Sequence, residues 1–181
     1  MGYYITSYLT DSSEIKKIYG SKNEKLLATL IKELSEELNS LNEDFDYELT
    51  ANKNSKEILT DIINGEVRFP EIAFMYGYIY EQLCKYYGKI IAPPGDEYST
   101  PYYWEIPKSS YKAFISIPFS DDFPEIYSIE VNNLETERDL FLSLKERKGI
   151  SEEDLNIEKE DFKFIFAEAI KQKKDLVFFL Y

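Results

Sequence analysis

The chain has 181 residues, 34 acidic and 21 basic side chains, and a formal net charge of −13. With 44% hydrophobic and 16% aromatic residues, it is long and apolar enough for one domain with a sizeable core. It contains no histidine and one cysteine, Cys84, which excludes Ser-His-Asp catalysis, histidine-liganded metals, an internal disulfide and a cysteine-rich zinc site.

The first half of the chain is predicted to be mainly helical. Residues 3–9 are rich in aromatic and β-branched side chains, a composition typical of a strand. A short helix is predicted after this strand, with Gly20 as its stop. Leucine and isoleucine then recur at helical spacing over residues 26–41, which predicts one amphipathic helix. The polar residues 42–54 are predicted to form a loop.

Two further helices are predicted at residues 55–64 and 70–87. The second is apolar nearly all round, which is typical of a central, buried helix. Gly77 lies in its middle, where glycine costs about 1 kcal/mol relative to alanine. We therefore expect another element to approach the helix closely at Gly77.

The second half of the chain is predicted to mix short strands with helices. Prolines and a glycine in residues 92–109 predict a long loop. Strands are predicted at 113–117, 126–131 and 176–180, and helices at 134–148 and 162–173. Together these elements predict a single α+β domain over residues 1–181, helix-rich, with a small sheet that includes the N-terminal and C-terminal strands.

The acidic residues are concentrated in two regions. Residues 33–50 hold seven acidic side chains and no basic one, and residues 119–161 hold fourteen acidic and five basic ones. Such regions repel phosphate backbones, so we expect no nucleic-acid partner. They either attract a basic protein surface or serve as a solvated surface, which is the simpler interpretation. No apolar stretch is long enough for a membrane span, and a single cysteine fits a reducing, cytoplasmic setting.

Short motifs carry a resemblance to known families. MGYYI at residues 1–5 and KDLVFFLY at residues 174–181 resemble the ends of the YfbM-like group of small uncharacterised bacterial proteins. A related uncharacterised family is similar also at 20–21, 76–78, 81–84 and 122–124. The resemblance implies a cytoplasmic bacterial α+β domain, and it assigns no catalytic residue.

Carboxylates are the first candidates for chemistry in a chain without histidine. Glu81 has the most unusual setting, because it interrupts the apolar helix. It lies either at the wet edge of that helix, which we favour, or in the interior with a raised pKa. Glu81 and Glu105, which is next to Trp104, are the two carboxylates to consider for a paired-carboxylate site.

The sequence assigns no metal, no cofactor and no catalytic residue. Asp121 and Asp122 are suited to a hard cation, but hydrogen bonding within a turn explains them as well. Asp44, Asp46 and Glu48 alternate as in a calcium loop, without the glycine and terminal glutamate that such a loop requires.

Two function hypotheses follow. The first is a non-enzymatic acidic module, immunity- or antitoxin-like, that masks a basic protein partner. Its contacts would come from the acidic helix and from aromatic residues of the proline-rich loop: Glu33, Glu36, Glu37, Tyr102, Tyr103 and Trp104. Alternatively, these aromatic residues fold back and cover the core. The second is a small enzyme or ligand-binding domain with a pocket near Tyr78, Glu81 and Trp104, which predicts a concave cavity where polar groups converge.

Overall fold

Four antiparallel strands and the helices around them form the fold in the computed structural model, which describes residues 4–45, 49–94, 112–118, 124–146 and 151–181. The strands are β1 (Ile5–Thr10), β2 (Gly88–Ile91), β3 (Glu125–Ile129) and β4 (Asp175–Leu180). The helices are α1 (Ser12–Ile18), α2 (Glu24–Glu33), α3 (Ser35–Asp44), α4 (Ser55–Asn64), α5 (Ala73–Tyr86), α6 (Leu134–Leu142) and α7 (Glu152–Gln172). This helix-rich α+β architecture, with both terminal strands in its sheet, confirms the predicted fold class.

The sheet has the strand order β2-β1-β4-β3, and β4 therefore lies between two neighbours. Tyr8 of β1 pairs with Val177 of β4, and Ser128 of β3 pairs with the same Val177 from the other side. Every residue of β4 is buried, which explains the continuous apolar run at the end of the sequence.

Helices cover both faces of the sheet. On one face, Tyr8, Val177 and Phe179 join a hydrophobic core with residues of α1 to α5. On the other face, Leu9 and Phe178 join a second core with residues of α6 and α7. Alternate residues of β1 and β4 thus point into different cores, as the twofold side-chain period of a strand requires.

The helix predicted over residues 26–41 is two helices in the structure. At Leu34 the backbone leaves the helical region, with φ −99° and ψ 19°, and this turn separates α2 from α3. Both helices pack against α4. The leucine spacing continues through the turn, because Leu30, Leu34 and Leu38 are all buried.

Helix α5 is the central, buried helix that its composition predicted. A Cβ atom on Gly77 would lie 3.0 Å from Cγ of Pro124, the residue before β3. The expected close approach at Gly77 is therefore confirmed, because a methyl group there would require Pro124 to shift by a few tenths of an ångström.

The chain from residue 88 onward differs from the prediction at four places. Helix α7, predicted over 162–173, begins ten residues earlier, at Glu152. Residues 113–117 form no strand, and the described segment 112–118 contributes to the sheet only an isolated bridge between Lys112, just before this range, and Tyr127. Helix α6 ends at Leu142 rather than at residue 148. Strand β2 was not predicted, because its four residues follow α5 immediately and carry no alternating pattern. No helix within the described ranges is both long and apolar enough to cross a membrane.

A buried ionic cluster ties α4 to the chain that follows it. The fully buried carboxylate of Asp61 forms an ion pair with Arg68 and accepts a hydrogen bond from the Tyr76 hydroxyl at 2.6 Å. The Asp61 carboxylate also accepts from the Arg68 backbone N–H at 3.2 Å. Its acceptor capacity is used within the fold, so we assign this cluster to structure.

Candidate functional site

Glu81 is buried, and two tyrosine hydroxyls bind its carboxylate. Only 7% of the residue is exposed. The Tyr8 hydroxyl donates a hydrogen bond to Oε1 at 3.0 Å, and the Tyr181 hydroxyl donates one to Oε2. The favoured expectation of a wet edge for Glu81 was therefore wrong, because strands β1 and β4 cover this face of α5.

Burial dominates the electrostatics of this carboxylate. Loss of solvation raises the pKa of Glu81 above its ordinary value of 4.5, and the hydrogen bonds from Tyr181 and Tyr8 offset only part of this effect. Burial and the nearby Glu81 carboxylate in turn raise the pKa of both tyrosine hydroxyls. Both tyrosines therefore remain protonated donors at neutral pH.

The strand register positions the two tyrosines. Tyr8 lies within β1, and its side chain belongs to the first hydrophobic core, which also contains residues of α5. Tyr181 directly follows β4 and continues its pairing, since its backbone N–H donates to the Tyr4 carbonyl at 2.9 Å and its carbonyl accepts from the Tyr4 N–H at 3.1 Å. The rings of Tyr4 and Tyr181 stack, with centroids 4.7 Å apart.

A surface ion pair borders the buried carboxylate. Lys85 lies one turn beyond Glu81 on α5, and its ammonium group is 3.0 Å from the Glu37 carboxylate on α3. The hydrogen bond from Lys85 holds the pKa of Glu37 below its ordinary value. Glu37 therefore stays ionised at neutral pH, and its ion pair offsets part of the charge of Lys85 beside Glu81.

Two adjoining cavities open beside Glu81, with volumes of about 560 Å³ and about 290 Å³. Both are lined by Tyr4, Thr6, Glu81, Gln82 and Lys85. The larger cavity is also lined by Tyr8 and Ile90, and the smaller one by Glu37, Ser40, Leu41, Asp44, Tyr78 and Tyr181. Pockets of this size fit small organic ligands.

Gln82, the neighbour of Glu81, carries a buried acceptor. Its side-chain oxygen has no hydrogen-bond partner among the residues that the structure describes. Leaving a buried acceptor unpaired costs about 1–3 kcal/mol. Gln82 also lines both cavities next to Glu81.

The predicted site residues fall into three groups. Tyr78, Glu81, Glu37 and Asp44 line the same cavity. Glu33 and Glu36 are exposed and line neither cavity. The remaining candidates lie outside the described residues: Tyr102, Tyr103, Trp104, Glu105, Asp121, Asp122, Asp46 and Glu48.

Sequence reasoning missed Tyr8, Tyr181, Gln82 and Lys85. The only available signal was the position of Lys85 one helical turn after Glu81, which brings both to one face of α5. Tyr8 and Tyr181 gave no local signal, because they reach Glu81 through strand pairing and not through sequence proximity.

Other groups that could form a site are already paired or buried within the fold. A cavity of about 400 Å³ beside β3 contains matched partners, an ion pair of Lys16 with Glu130 at 2.9 Å and a hydrogen bond from Tyr127 to Glu137 at 2.9 Å. Cys84 is fully buried, and burial raises the pKa of its thiol, as expected of a core residue. Within the described ranges, no three acidic or cysteine side chains form a group that could hold a metal ion.

Fold and site together define a helix-rich α+β domain with a buried, tyrosine-bound carboxylate beside two open cavities. The chain belongs to the family described as a domain of unknown function, DUF7691, whose model matches residues 1–181. This agrees with the expectation of an uncharacterised family and does not confirm the YfbM-like assignment. Comparison with curated proteins and with solved structures finds no match.

Proposed function

We propose that this domain binds a small organic ligand in the cavities beside Glu81. The observation that carries the proposal is a carboxylate 7% exposed, bonded by Tyr8 and Tyr181, that nevertheless lines two open cavities. A fold gains little from burying a carboxylate in an apolar helix, since desolvation of the charge opposes its hydrogen bonds. Recognition of a ligand explains why the carboxylate is buried next to the cavities.

Binding is favoured over catalysis by the groups that line the cavities. They include carboxylates, tyrosines, a glutamine and a lysine, while the only thiol in the sequence, Cys84, is buried in the core. The Tyr8 and Tyr181 hydroxyls have raised pKa values and act as donors to Glu81 rather than as bases. We therefore infer a binding domain, which we assign to the bacterial cytoplasm because its free cysteine suits a reducing compartment.

A screen of small organic fragments tests this proposal directly. Protein carrying isotope-labelled tyrosine rings is titrated with each fragment, and NMR shifts report which rings respond. We expect responses at Tyr4, Tyr8 and Tyr181, with Tyr86 on the exposed end of α5 as an internal control. A library that perturbs none of the three site rings would contradict the proposal.

A basic protein partner is the second candidate, as an immunity- or antitoxin-like module. The observation that favours it is the exposure of Glu33 and Glu36 at the junction of α2 and α3, within a region that carries seven acidic side chains and no basic one. Charge complementarity of this kind speeds association with a basic surface.

The second candidate is tested with charge-reversed protein. The Glu33→Lys, Glu36→Lys double variant and the wild type are used as baits for partners from the source cells at low and high salt. A partner captured by the wild type at low salt, and lost with both the variant and high salt, would support this candidate. Equal capture by the two baits, or no capture at low salt, would contradict it.

A further inference from the structure

We propose that the ligand of the Glu81 site is an organic cation, a primary ammonium group attached to an apolar body. This inference rests on the proposed function and specifies its ligand class. Three independent features of the site support it: the hydrogen-bonding character of the buried groups, the balance of charge, and the aromatic lining.

The groups around the Glu81 carboxylate offer hydrogen-bond acceptors to a ligand. The Tyr8 and Tyr181 hydroxyls have already donated their hydrogens to Glu81, so their oxygen atoms present only lone pairs to a ligand. The carboxylate oxygens of Glu81 keep further lone pairs, and the buried oxygen of Gln82 has no partner among the described residues. A ligand group that faces the Glu81 carboxylate must bring donors, and an ammonium group brings three.

The charge of the lining is negative. Glu37, Asp44 and Glu81 contribute carboxylates, and Lys85 is the only basic residue among the described residues that line the smaller cavity. Lys85 is paired with Glu37 at 3.0 Å, while Asp44 has no ion-pair partner within the described part of the chain. An anionic ligand would meet uncompensated negative charge, whereas a cation would neutralise it.

Aromatic rings provide the remaining recognition. Tyr4 and Tyr181 form a stacked pair beside Glu81, and tyrosine faces attract cations through their quadrupoles. In the larger cavity, the half-exposed Ile90 lies on the same lining as Tyr8. This surface suits the apolar body of the ligand, while the ammonium group faces Glu81 and Gln82.

Three probes with one skeleton test the ligand class on the full chain: phenethylammonium, 2-phenylethanol and phenylacetate. They differ only in a cationic, a neutral or an anionic head group. We expect phenethylammonium to bind about tenfold more tightly than 2-phenylethanol, as a charge-assisted contact provides. Phenylacetate is expected to bind most weakly. Dissociation constants follow from titration of the tyrosine ring signals of Tyr8 and Tyr181.

Two variants and a control locate the charge preference. Glu81→Gln keeps the shape of the side chain and is expected to abolish the tenfold preference, whereas Glu33→Gln, outside the cavities, retains it. Because a buried substitution also perturbs folding, Asp44→Asn on the rim serves as a second variant. It is expected to weaken phenethylammonium binding about twofold and to leave the affinity for 2-phenylethanol unchanged.

The outcomes separate this inference from the proposed function. Equal affinity for phenethylammonium and 2-phenylethanol, or tighter binding of phenylacetate, overturns the cation class while the ligand site stands. If all three probes fail to bind while other fragments perturb the site tyrosines, the cation class is again overturned and the ligand site stands. If no fragment and no probe perturbs Tyr8 or Tyr181, the ligand site itself is overturned.

Discussion

The hydroxyl of Tyr181 donates a hydrogen bond to the carboxylate of Glu81, although the two residues are 100 positions apart in the sequence. The bond connects the end of the central strand β4 to the central helix α5. It also fixes one oxygen of the carboxylate beside the cavities, while Tyr8 fixes the other. Stability and the proposed binding site therefore depend on the same contact.

Removal of this contact is expected to destabilise the protein. Tyr181→Phe keeps the ring stacked on Tyr4 but deletes the donor to Glu81. A hydrogen bond to a charged group contributes about 1.5–3 kcal/mol, so we expect the free energy of unfolding to fall by about 2 kcal/mol. Urea denaturation at neutral pH measures the change. Tyr86→Phe, at a site 42% exposed, is the matched control and should leave stability unaltered; an equal loss in both variants would contradict the assignment.

The raised pKa of Glu81 predicts a particular pH dependence of stability. Because the folded state holds this proton more tightly than the unfolded state, ionisation of Glu81 costs stability as the pH rises. The loss begins near the ordinary pKa of 4.5, which applies to the unfolded chain, and is complete above the raised pKa of the folded state. Below this window the contribution of Glu81 is fully present.

Comparison with Glu81→Gln isolates this effect. Glutamine does not titrate, so the stability of the wild type relative to the variant should decline as the pH increases from 4.5 upward. Chemical denaturation of both proteins over a pH series provides the difference. A stability difference that stays constant, or that grows with pH, would show that burial does not dominate the environment of Glu81.

The buried Asp61 is expected to be important for stability and irrelevant to ligand binding. Asp61→Ala removes the acceptor of the Tyr76 hydroxyl and the partner of Arg68, and should cost about 3 kcal/mol of the free energy of unfolding. Glu66→Ala is the matched control, because its ion pair with Arg68 is long, at 3.9 Å, and exposed. A loss below about 1 kcal/mol for Asp61→Ala would contradict the structural role.

The contact at Gly77 can be tested by a double-mutant cycle. Alanine in a helix is intrinsically favourable by about 1 kcal/mol, but a methyl group at Gly77 would press on Pro124 at 3.0 Å. We expect Gly77→Ala to destabilise the protein by about 1–2 kcal/mol, as overpacking does. In a Pro124→Ala background the same substitution should become neutral or stabilising. Additive effects of the two substitutions would contradict a direct contact.

Local patterns were sufficient for much of the fold. The apolar run at 176–180 predicted a buried strand, and Gly77 within an apolar helix predicted a close neighbour; both predictions are confirmed. Such features depend on composition and spacing within a few turns of chain, which a sequence displays directly.

Other features depended on packing. The leucine spacing over residues 26–41 is continuous, yet a turn at Leu34 divides it into two helices that both contact α4. The sequence was also compatible with two environments for Glu81, the solvent-exposed edge of the helix and the protein interior, and we favoured the exposed edge. Its real environment is set by β1 and β4, whose coverage of α5 cannot be derived from the helix itself.

By itself the sequence determined the α+β class, the buried strand β4, the central helix α5 and the absence of histidine chemistry, because each follows from composition or local periodicity. Only the tertiary structure decided that Tyr8, Tyr181 and Glu81 meet. Their separations are 73 and 100 residues, and the contacts arise from the register of β1 with β4 and the packing of α5 against that sheet. A carboxylate's solvation is a property of what surrounds it in space, so the candidate site emerged from the fold.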